Sequence, residues 1–126
     1  MRSVLRGALV GAIVGVCLLA ARARAAEPWS RADTYREVAY DALLVVDARQ
    51  TAWAMDRPGY RETNPLLGSH PSRRQINEHM AIAAALHGLV SLALPDVYRR
   101  QWQWGTVAVE GFVVAHNAYL GVHLTF

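Results

Sequence analysis

The uncharged stretch from 80 to 94 constrains this chain more than any other part of its sequence. A helix built from it is apolar on every side, and Pro95 ends it. Ser72 and Gln75 form a capping-box pair that marks its start. A helix of this kind either crosses a membrane or fills the centre of a large core. Because 126 residues cannot enclose a large core, we predict a transmembrane helix over about 72–94.

Two other helices are predicted, one on each side of this one. The first spans about 31–55, begins with the capping-box pair Ser30 and Asp33, and carries charges near its middle. Because charges are costly in a bilayer, we expect this amphipathic helix to lie at the interface or to pack against the others. The third spans about 97–120 and begins with clustered aromatic residues, which are typical of the lipid–water boundary. The predicted fold class is therefore all-α, a small helical bundle with two transmembrane helices and one amphipathic helix.

The amino-terminal segment has the three parts of a secretory signal peptide. Arg2 and Arg6 precede an uncharged run over 7–21, and Ala23 and Ala25 form an A-x-A cleavage site. We predict that residues 1–25 are a signal peptide that is removed on export. The expected location is the bacterial cell envelope, at the inner membrane.

The remaining sequence, 26–126, is predicted to be a single helical membrane domain. The one cysteine of the chain, Cys17, lies in the predicted signal peptide, so disulfides cannot brace the exported domain. The net charge of +3 is small and dispersed, which argues against a nucleic-acid partner. The sequence has no cofactor-binding motif, and its five histidines lack the spacing of a metal site. We therefore expect neither a cofactor nor a metal.

Small residues recur at spacings of three and four on the second and third predicted helices. Such stripes let two backbones approach closely, which is how helices associate within lipid. We predict that the second and third helices pack against each other through these residues. The alternative is that an alanine-rich composition produces the stripes by chance. The stripes consist of Ala81, Ala84, Gly88 and Ser91 on the second helix and Ala108, Gly111, Ala115 and Ala118 on the third.

Five ionisable residues are the candidates for chemistry. Ionisable groups inside a membrane are costly, so they usually face the interior of a bundle and invite a functional hypothesis. The functional interpretation is a buried acid–base or ion-handling cluster. The structural interpretation, which we favour, is a set of interhelical hydrogen bonds that fixes the register of the helices. The five candidates are Asp47, Glu62, His87, Glu110 and His116.

The segment between the first and second helices is a structured loop that contains three prolines and two glycines. Asn64 can cap a short helical turn, Pro65 suits its first position, and Gly68 suits its end. We therefore predict that Glu62, Asn64 and Pro65 are structural residues of this loop.

Several short motifs run from the last turns of the first helix, through the loop, to the first turns of the second. Their residues are Asp47, Gln50, Thr51, Glu62, Asn64, Pro65, Leu66, Gly68, Pro71 and Asn77. In these motifs the chain resembles small membrane proteins of proteobacteria and their phages, which have a D-x-x-Q-T-like helix end, an E-x-N-P loop and two apolar helices. The resemblance implies a shared helical membrane architecture and a prophage setting. It implies no catalytic assignment.

These observations leave three interpretations of function. The first is a small, non-enzymatic envelope membrane protein whose partners are the lipid bilayer and either a membrane protein or a second copy of the chain. The resemblance adds a phage or prophage origin to this interpretation. The second is a membrane-embedded enzyme or ion-handling protein that uses the buried Asp, Glu and His side chains. The third is an outer-membrane-associated protein, because residues 119–126 alternate as in a C-terminal β-strand.

Overall fold

The computed structural model describes residues 28–124. In this range the chain forms three α-helices, α1 (Arg31–Met55), α2 (Arg73–Ala93) and α3 (Asp96–Tyr119). The described residues contain no strand, so the all-α prediction is confirmed. Each predicted helix boundary lies within one residue of the observed one. The predicted signal peptide, 1–25, lies outside the described residues.

The starts of α1 and α2 are fixed by complete capping boxes, as the sequence predicts. The Ser30 hydroxyl accepts from the Asp33 amide at 3.1 Å, and the Asp33 carboxylate accepts from the Ser30 amide at 2.8 Å. Ser72 and Gln75 repeat this exchange at 3.3 Å and 2.8 Å. Each box satisfies backbone donors that the first turn of a helix leaves without partners. Local hydrogen bonding alone therefore places both helix starts.

The loop between α1 and α2 contains the predicted short turn. The Asn64 carbonyl accepts from the Leu67 and Gly68 amides at 3.1 Å and 3.2 Å. Gly68 has a φ of +83°, a left-handed conformation that glycine adopts without strain. The Glu62 amide donates to the Ser69 carbonyl at 3.0 Å and closes the loop on itself. The turn prediction is confirmed.

The end of α3 is a Schellman motif. The Gly121 amide donates to the Ala118 carbonyl and the Val122 amide to the Asn117 carbonyl, each at 3.0 Å. Gly121 has a φ of +80°, and the turn folds the Val122 side chain into the interior, where it is buried. Within the described residues, the strand of the third interpretation does not form, because residue 119 ends α3 and residues 120–121 form the turn. Residues 125–126 lie outside them.

Helix α1 is the central element of the bundle. It packs most extensively against α3 and next against α2, whereas α2 and α3 contact each other least. A Cβ added at Gly88 would lie 3.4 Å from the Glu37 carboxylate, and one at Gly111 would lie 3.9 Å from Leu43. Both glycines thus face α1.

The two small-residue stripes therefore do not form the predicted seam between α2 and α3. Ser91 also points to α1, because its hydroxyl donates to Glu37 at 3.0 Å. Other members of the stripes face outward and are exposed, namely Ala81, Ala108, Ala115 and Ala118. The spacing identifies residues that share a helix face, but the position of α1 decides what that face meets.

Most of the buried side chains of the bundle are polar, and many large apolar side chains lie exposed on its surface beside charged ones. Among residues 28–124, seven polar or charged residues are buried, against four hydrophobic ones. This reverses the pattern of soluble domains, in which buried polar residues are the exception. The buried polar residues are Asp33, Gln50, Thr51, His87, Ser91, Arg99 and Gln103. The exposed apolar residues include Val38, Val45, Ile82, Leu89, Leu92, Val109 and Phe112.

None of the described helices has the properties of a membrane-crossing segment. Within residues 28–124, no helix is both long enough and apolar enough for a crossing, which differs from the prediction of two transmembrane helices. Charged and neutral polar residues together lower the hydropathy of both helices. They include Glu78, His79 and His87 on α2 and Gln103, Glu110, His116 and Asn117 on α3.

Candidate functional site

An open cavity of about 370 Å³ lies between α1, α3 and the loop that joins α1 to α2. We call it the acidic pocket, because three of its lining side chains are carboxyl groups. It brings together four of the five predicted candidates, and His87 is the one that lies elsewhere. The polar residues that line it include Asp47, Gln50, Thr51, Glu62, Asn64, Glu110, His116 and Asn117.

Asn117 on α3 connects two of the pocket residues on α1. Its Nδ2 donates to Asp47 Oδ1 at 2.9 Å and to Gln50 Oε1 at 3.3 Å. The Gln50 amide in turn donates to the Val114 carbonyl at 3.2 Å. Asp47, Gln50 and Thr51 can act together because their spacing places them on one face of the helix. These bonds fix the register of α1 against α3.

Glu62 and Asn64 attach the loop to the helices. The Thr51 hydroxyl donates to Glu62 Oε2 at 3.3 Å, and the Asn64 amide donates to Glu62 Oε1 at 2.7 Å. The Asn64 side chain lies 3.4 Å from His79 Nε2 on α2. The E-x-N motif thus joins α1, the loop and α2, and Pro65 follows as the first residue of the turn.

Burial raises the pKa of two carboxyl groups in the acidic pocket. Burial and then the charge of Glu62 raise the pKa of Asp47 to about 6, against the opposing hydrogen bond from Asn117. Burial and then the charge of Asp47 raise the pKa of Glu110 to about 7. Glu110 Oε1 is buried without a hydrogen-bond partner among residues 28–124. Both carboxyl groups therefore exchange protons close to neutral pH.

His116 lies at the exposed rim of the acidic pocket. Its ring stacks on that of Phe112, with the ring centroids 5.9 Å apart. In the described part of the chain, no three His, Cys, Asp or Glu side chains are grouped as ligands for a metal ion. The chemistry that this pocket offers is proton exchange by Asp47 and Glu110.

His87 belongs to a second cluster, in the interior between the three helices. We call it the Glu37 cluster, and it consists of Glu37, His87, Ser91, Gln103 and Thr106. Glu37 lies 2.6 Å from His87 Nδ1 and accepts from the Ser91 hydroxyl and the Gln103 amide, each at 3.0 Å. His87 is only 2% exposed. A carboxylate with three such partners is well stabilised away from water.

The His87 ring is held between two aromatic rings. It stacks on Tyr40 with the centroids 3.8 Å apart and on Trp102 with the centroids 5.2 Å apart. Its Nε2 lies 2.7 Å from the Thr106 hydroxyl. Burial, followed by nearby carboxylate charges, raises the pKa of Tyr40 to about 12, so this phenol stays protonated. The imidazole is thus fixed on both faces and at both nitrogens.

Asp33 is the centre of an ion-pair network next to the Glu37 cluster. Its carboxylate accepts from Arg36 at 2.6 Å and from Arg99 at 3.3 Å, and neither Asp33 nor Arg99 is more than 2% exposed at its side chain. Arg36 also donates to Gln103 at 2.8 Å. Burial alone would raise the pKa of Asp33, but hydrogen bonds from Ser30 and Arg36 and the charge of Arg99 lower it to about 2.

Comparison of the chain with protein-family models, with curated proteins and with solved structures finds no match. The resemblance to small membrane proteins of proteobacteria and phages therefore stays a prediction from the short motifs. The function has to be inferred from the geometry of the acidic pocket, the Glu37 cluster and the outer surface.

The Glu37 cluster is not among the sites that the sequence predicts, although His87 is a candidate for chemistry and Ser91 a candidate for helix packing. A signal for it exists, because Asp33, Glu37 and Tyr40 continue the spacing of the inward face that leads to Leu44. Charged residues in the first turns of a helix usually lie in solvent, however, and Thr106 is a neutral residue in an apolar segment. Only the fold brings these side chains together.

Proposed function

We propose that this protein is a membrane-associated protein of the bacterial envelope whose apolar outer surface contacts lipid. The observation that carries the proposal is the number of large apolar side chains that the bundle exposes while it buries polar ones. All three helices bury polar side chains and expose large apolar ones, such as Val45 on α1, Leu89 on α2 and Phe112 on α3, which are 59%, 55% and 70% exposed.

This distribution is unfavourable in water and favourable against lipid. Large exposed apolar surfaces are rare on soluble monomers and usually mark contacts with membranes or proteins. Against lipid the same side chains lose no stabilisation, because hydrocarbon is as apolar as they are. Hydrogen bonds between helices then hold the bundle together, and the Glu37 cluster and the Asn117 bridge supply them. Lipid offers no hydrogen-bond partners, so the polar interior supplies the interactions that keep the three helices together.

A membrane-protein partner or a second copy of the chain would cover part of the same surface. The inner membrane remains the proposed location, on the basis of the predicted signal peptide. The phage or prophage origin rests on the resemblance alone. None of these three refinements changes the expectation that apolar surface faces lipid.

We expect the full chain, expressed in a bacterium, to float with membranes in a density gradient. The exposed apolar side chains bind lipid, and high salt does not release them, because the contact is not electrostatic. Mild detergent should release a folded protein that unfolds cooperatively. Flotation separates lipid association from aggregation, since aggregates sediment. A monomer in detergent-free periplasmic extract would refute the proposal.

A second candidate function is proton binding in the acidic pocket. The observation that favours it is the gathering of Asp47, Glu62 and Glu110 around one open cavity. Two of these groups exchange protons near neutral pH, with pKa values of about 6 and about 7. A change of pH across this range would alter the charge of the pocket by about two units, and with it the repulsion between α1, the loop and α3.

Removing the Asn117 amide should raise the pKa of Asp47 further. The hydrogen bond from Asn117 favours the charged form of Asp47 and lowers its pKa, so Asn117→Ala leaves burial and the Glu62 charge unopposed. The titration of the Asp47 carboxyl carbon, followed by NMR in detergent micelles, measures this shift. Asn77→Ala on the exposed side of α2 is the matched control and should leave the titration unchanged. An Asp47 that titrates as an ordinary solvated carboxyl would exclude the function.

A further inference from the structure

Three side chains, one from each helix, stand in line between the interior of the bundle and a groove on its surface. His87 Nδ1 lies 2.6 Å from Glu37 Oε1, and His87 Nε2 lies 2.7 Å from Thr106 Oγ1. We infer that Glu37, His87 and Thr106 form a nucleophilic relay, in which the Thr106 hydroxyl attacks the carbonyl carbon of an ester with an apolar chain. This inference is independent of the membrane and proton-binding proposals.

The hydrogen bonds around Glu37 set the imidazole in the orientation that such a relay needs. A carboxylate only accepts, so Glu37 holds the hydrogen of His87 on Nδ1 and leaves Nε2 as the acceptor that faces Thr106. Ser91 and Gln103 donate to the other carboxylate oxygen at 3.0 Å and keep Glu37 in place. A base oriented by a third group is the arrangement that activates hydroxyl nucleophiles on unrelated folds.

The Thr106 hydroxyl has two directions in which its hydrogen can point. Its oxygen lies 2.9 Å from the Trp102 carbonyl and 3.0 Å from the Gln103 carbonyl, as is common for threonine in a helix. It also lies 2.7 Å from His87 Nε2. Rotation of the hydroxyl toward Nε2 produces the reactive arrangement without moving the helix. With Nε2 as an acceptor, the hydrogen has to point to Nε2, because two acceptors would otherwise face each other at 2.7 Å.

Thr106 also lines an open groove of about 370 Å³ that suits an apolar chain. Tyr40, Gly105 and Val109 line the same groove, and its surface is almost entirely apolar. Trp102 forms another part of its wall. The groove thus places space for hydrocarbon next to Thr106, the residue whose hydroxyl contacts His87.

The reaction balances without any other reactant than water. The Thr106 oxygen bonds to the ester carbonyl carbon while its proton moves to His87 Nε2. The bond between that carbon and the alcohol oxygen then breaks, and the leaving alcohol takes the proton from Nε2. Water attacks the acyl-threonine in the same way, which releases a carboxylic acid and restores the Thr106 hydroxyl. Glu37 keeps its charge throughout and acts as a positioning residue.

An alkyl fluorophosphonate tests the relay directly. Incubated with the full chain in detergent micelles, the probe should phosphonylate Thr106, with loss of fluoride, and peptide mass spectrometry should locate one group on this residue. Thr106→Val should remove the labelling and Thr106→Ser should retain it. Thr34→Val, on the exposed side of α1, is the matched control and should label as the wild type does. His87→Gln should slow labelling at least about 100-fold, the usual contribution of a general base.

Two variants of Glu37 separate the relay from a merely structural hydrogen bond. Glu37→Gln keeps the size and an acceptor oxygen but removes the charge, whereas Glu37→Asp keeps the charge. The relay requires faster labelling of Glu37→Asp than of Glu37→Gln, because the charge stabilises the protonated imidazole. A structural role gives the reverse order. A wild-type protein that unfolds cooperatively yet takes no phosphonyl group, or takes it away from Thr106, overturns the inference.

Discussion

Asp33→Ala should destabilise the protein by about 3–5 kcal/mol, the usual cost of removing one partner of a buried ion pair. Asp33 is fully buried and accepts from Arg36 at 2.6 Å and from Arg99 at 3.3 Å. The substitution leaves both guanidinium groups with a partner missing inside the bundle, and it also removes half of the capping box at Ser30. The free energy of unfolding, measured by denaturant titration in detergent micelles, reports the loss.

Asp56→Ala is the matched control for this prediction. Asp56 also pairs with an arginine, Arg73, but both side chains are largely exposed, at 49% and 71%. Exposed ion pairs contribute roughly 0–1 kcal/mol, because water and salt screen them. A small effect at Asp56 together with a large one at Asp33 would show that burial sets the difference. Equal small effects would mean that the Asp33 network does not stabilise the fold.

Glu110→Gln should stabilise the protein at about pH 8 and leave it nearly unchanged at about pH 4. The pKa of Glu110 is about 7 in the folded chain, against an ordinary value of 4.5. The folded state therefore binds the proton more tightly than the unfolded state. The stability that this proton provides is present below about pH 4.5 and is lost as the pH rises through about 7. A glutamine does not ionise, so the variant does not lose stability from this group as the pH rises.

At about pH 8, the free energy of unfolding of the variant should exceed that of the wild type by about 1–2 kcal/mol. A shift of this size corresponds to about 3 kcal/mol at most, and partial exposure of the side chain reduces that figure. Denaturant titrations at the two pH values, on wild type and variant, measure the difference. Glu78→Gln, on the exposed side of α2, is the control and should give no comparable gain. A loss of stability at about pH 8 would show that the Glu110 charge is needed in the fold.

The ends of the helices can be predicted from sequence because local signals determine them. Ser30 and Ser72 each cap a helix with a side chain three residues away, and Pro95 stops α2 wherever the rest of the chain lies. The turn at Asn64 and the left-handed Gly68 are equally local. Such signals act over three to five residues, so they do not depend on the tertiary structure.

The acidic pocket is predicted in part. Asp47, Glu62, Glu110 and His116 stand out in the sequence as ionisable residues beside apolar segments, and the fold gathers all four at one cavity. His87 stands out in the same way but lies in the Glu37 cluster. Helical spacing gives the face on which each residue lies. It does not give the neighbour that this face meets, and so it cannot divide the candidates between the two clusters.

The sequence by itself determined the three helices, the caps of α1 and α2, the turn between these two helices and the ionisable residues that are candidates for chemistry. The tertiary structure decided that α1 is the central helix, that its polar face points inward, and that Gly88 and Gly111 face α1. It also decided that Glu37 and Thr106 meet His87 from either side. The physical reason is the separation in sequence of the residues that interact. Capping and turn formation involve neighbours in the chain. The burial of a helix face depends on residues about 20–70 positions away.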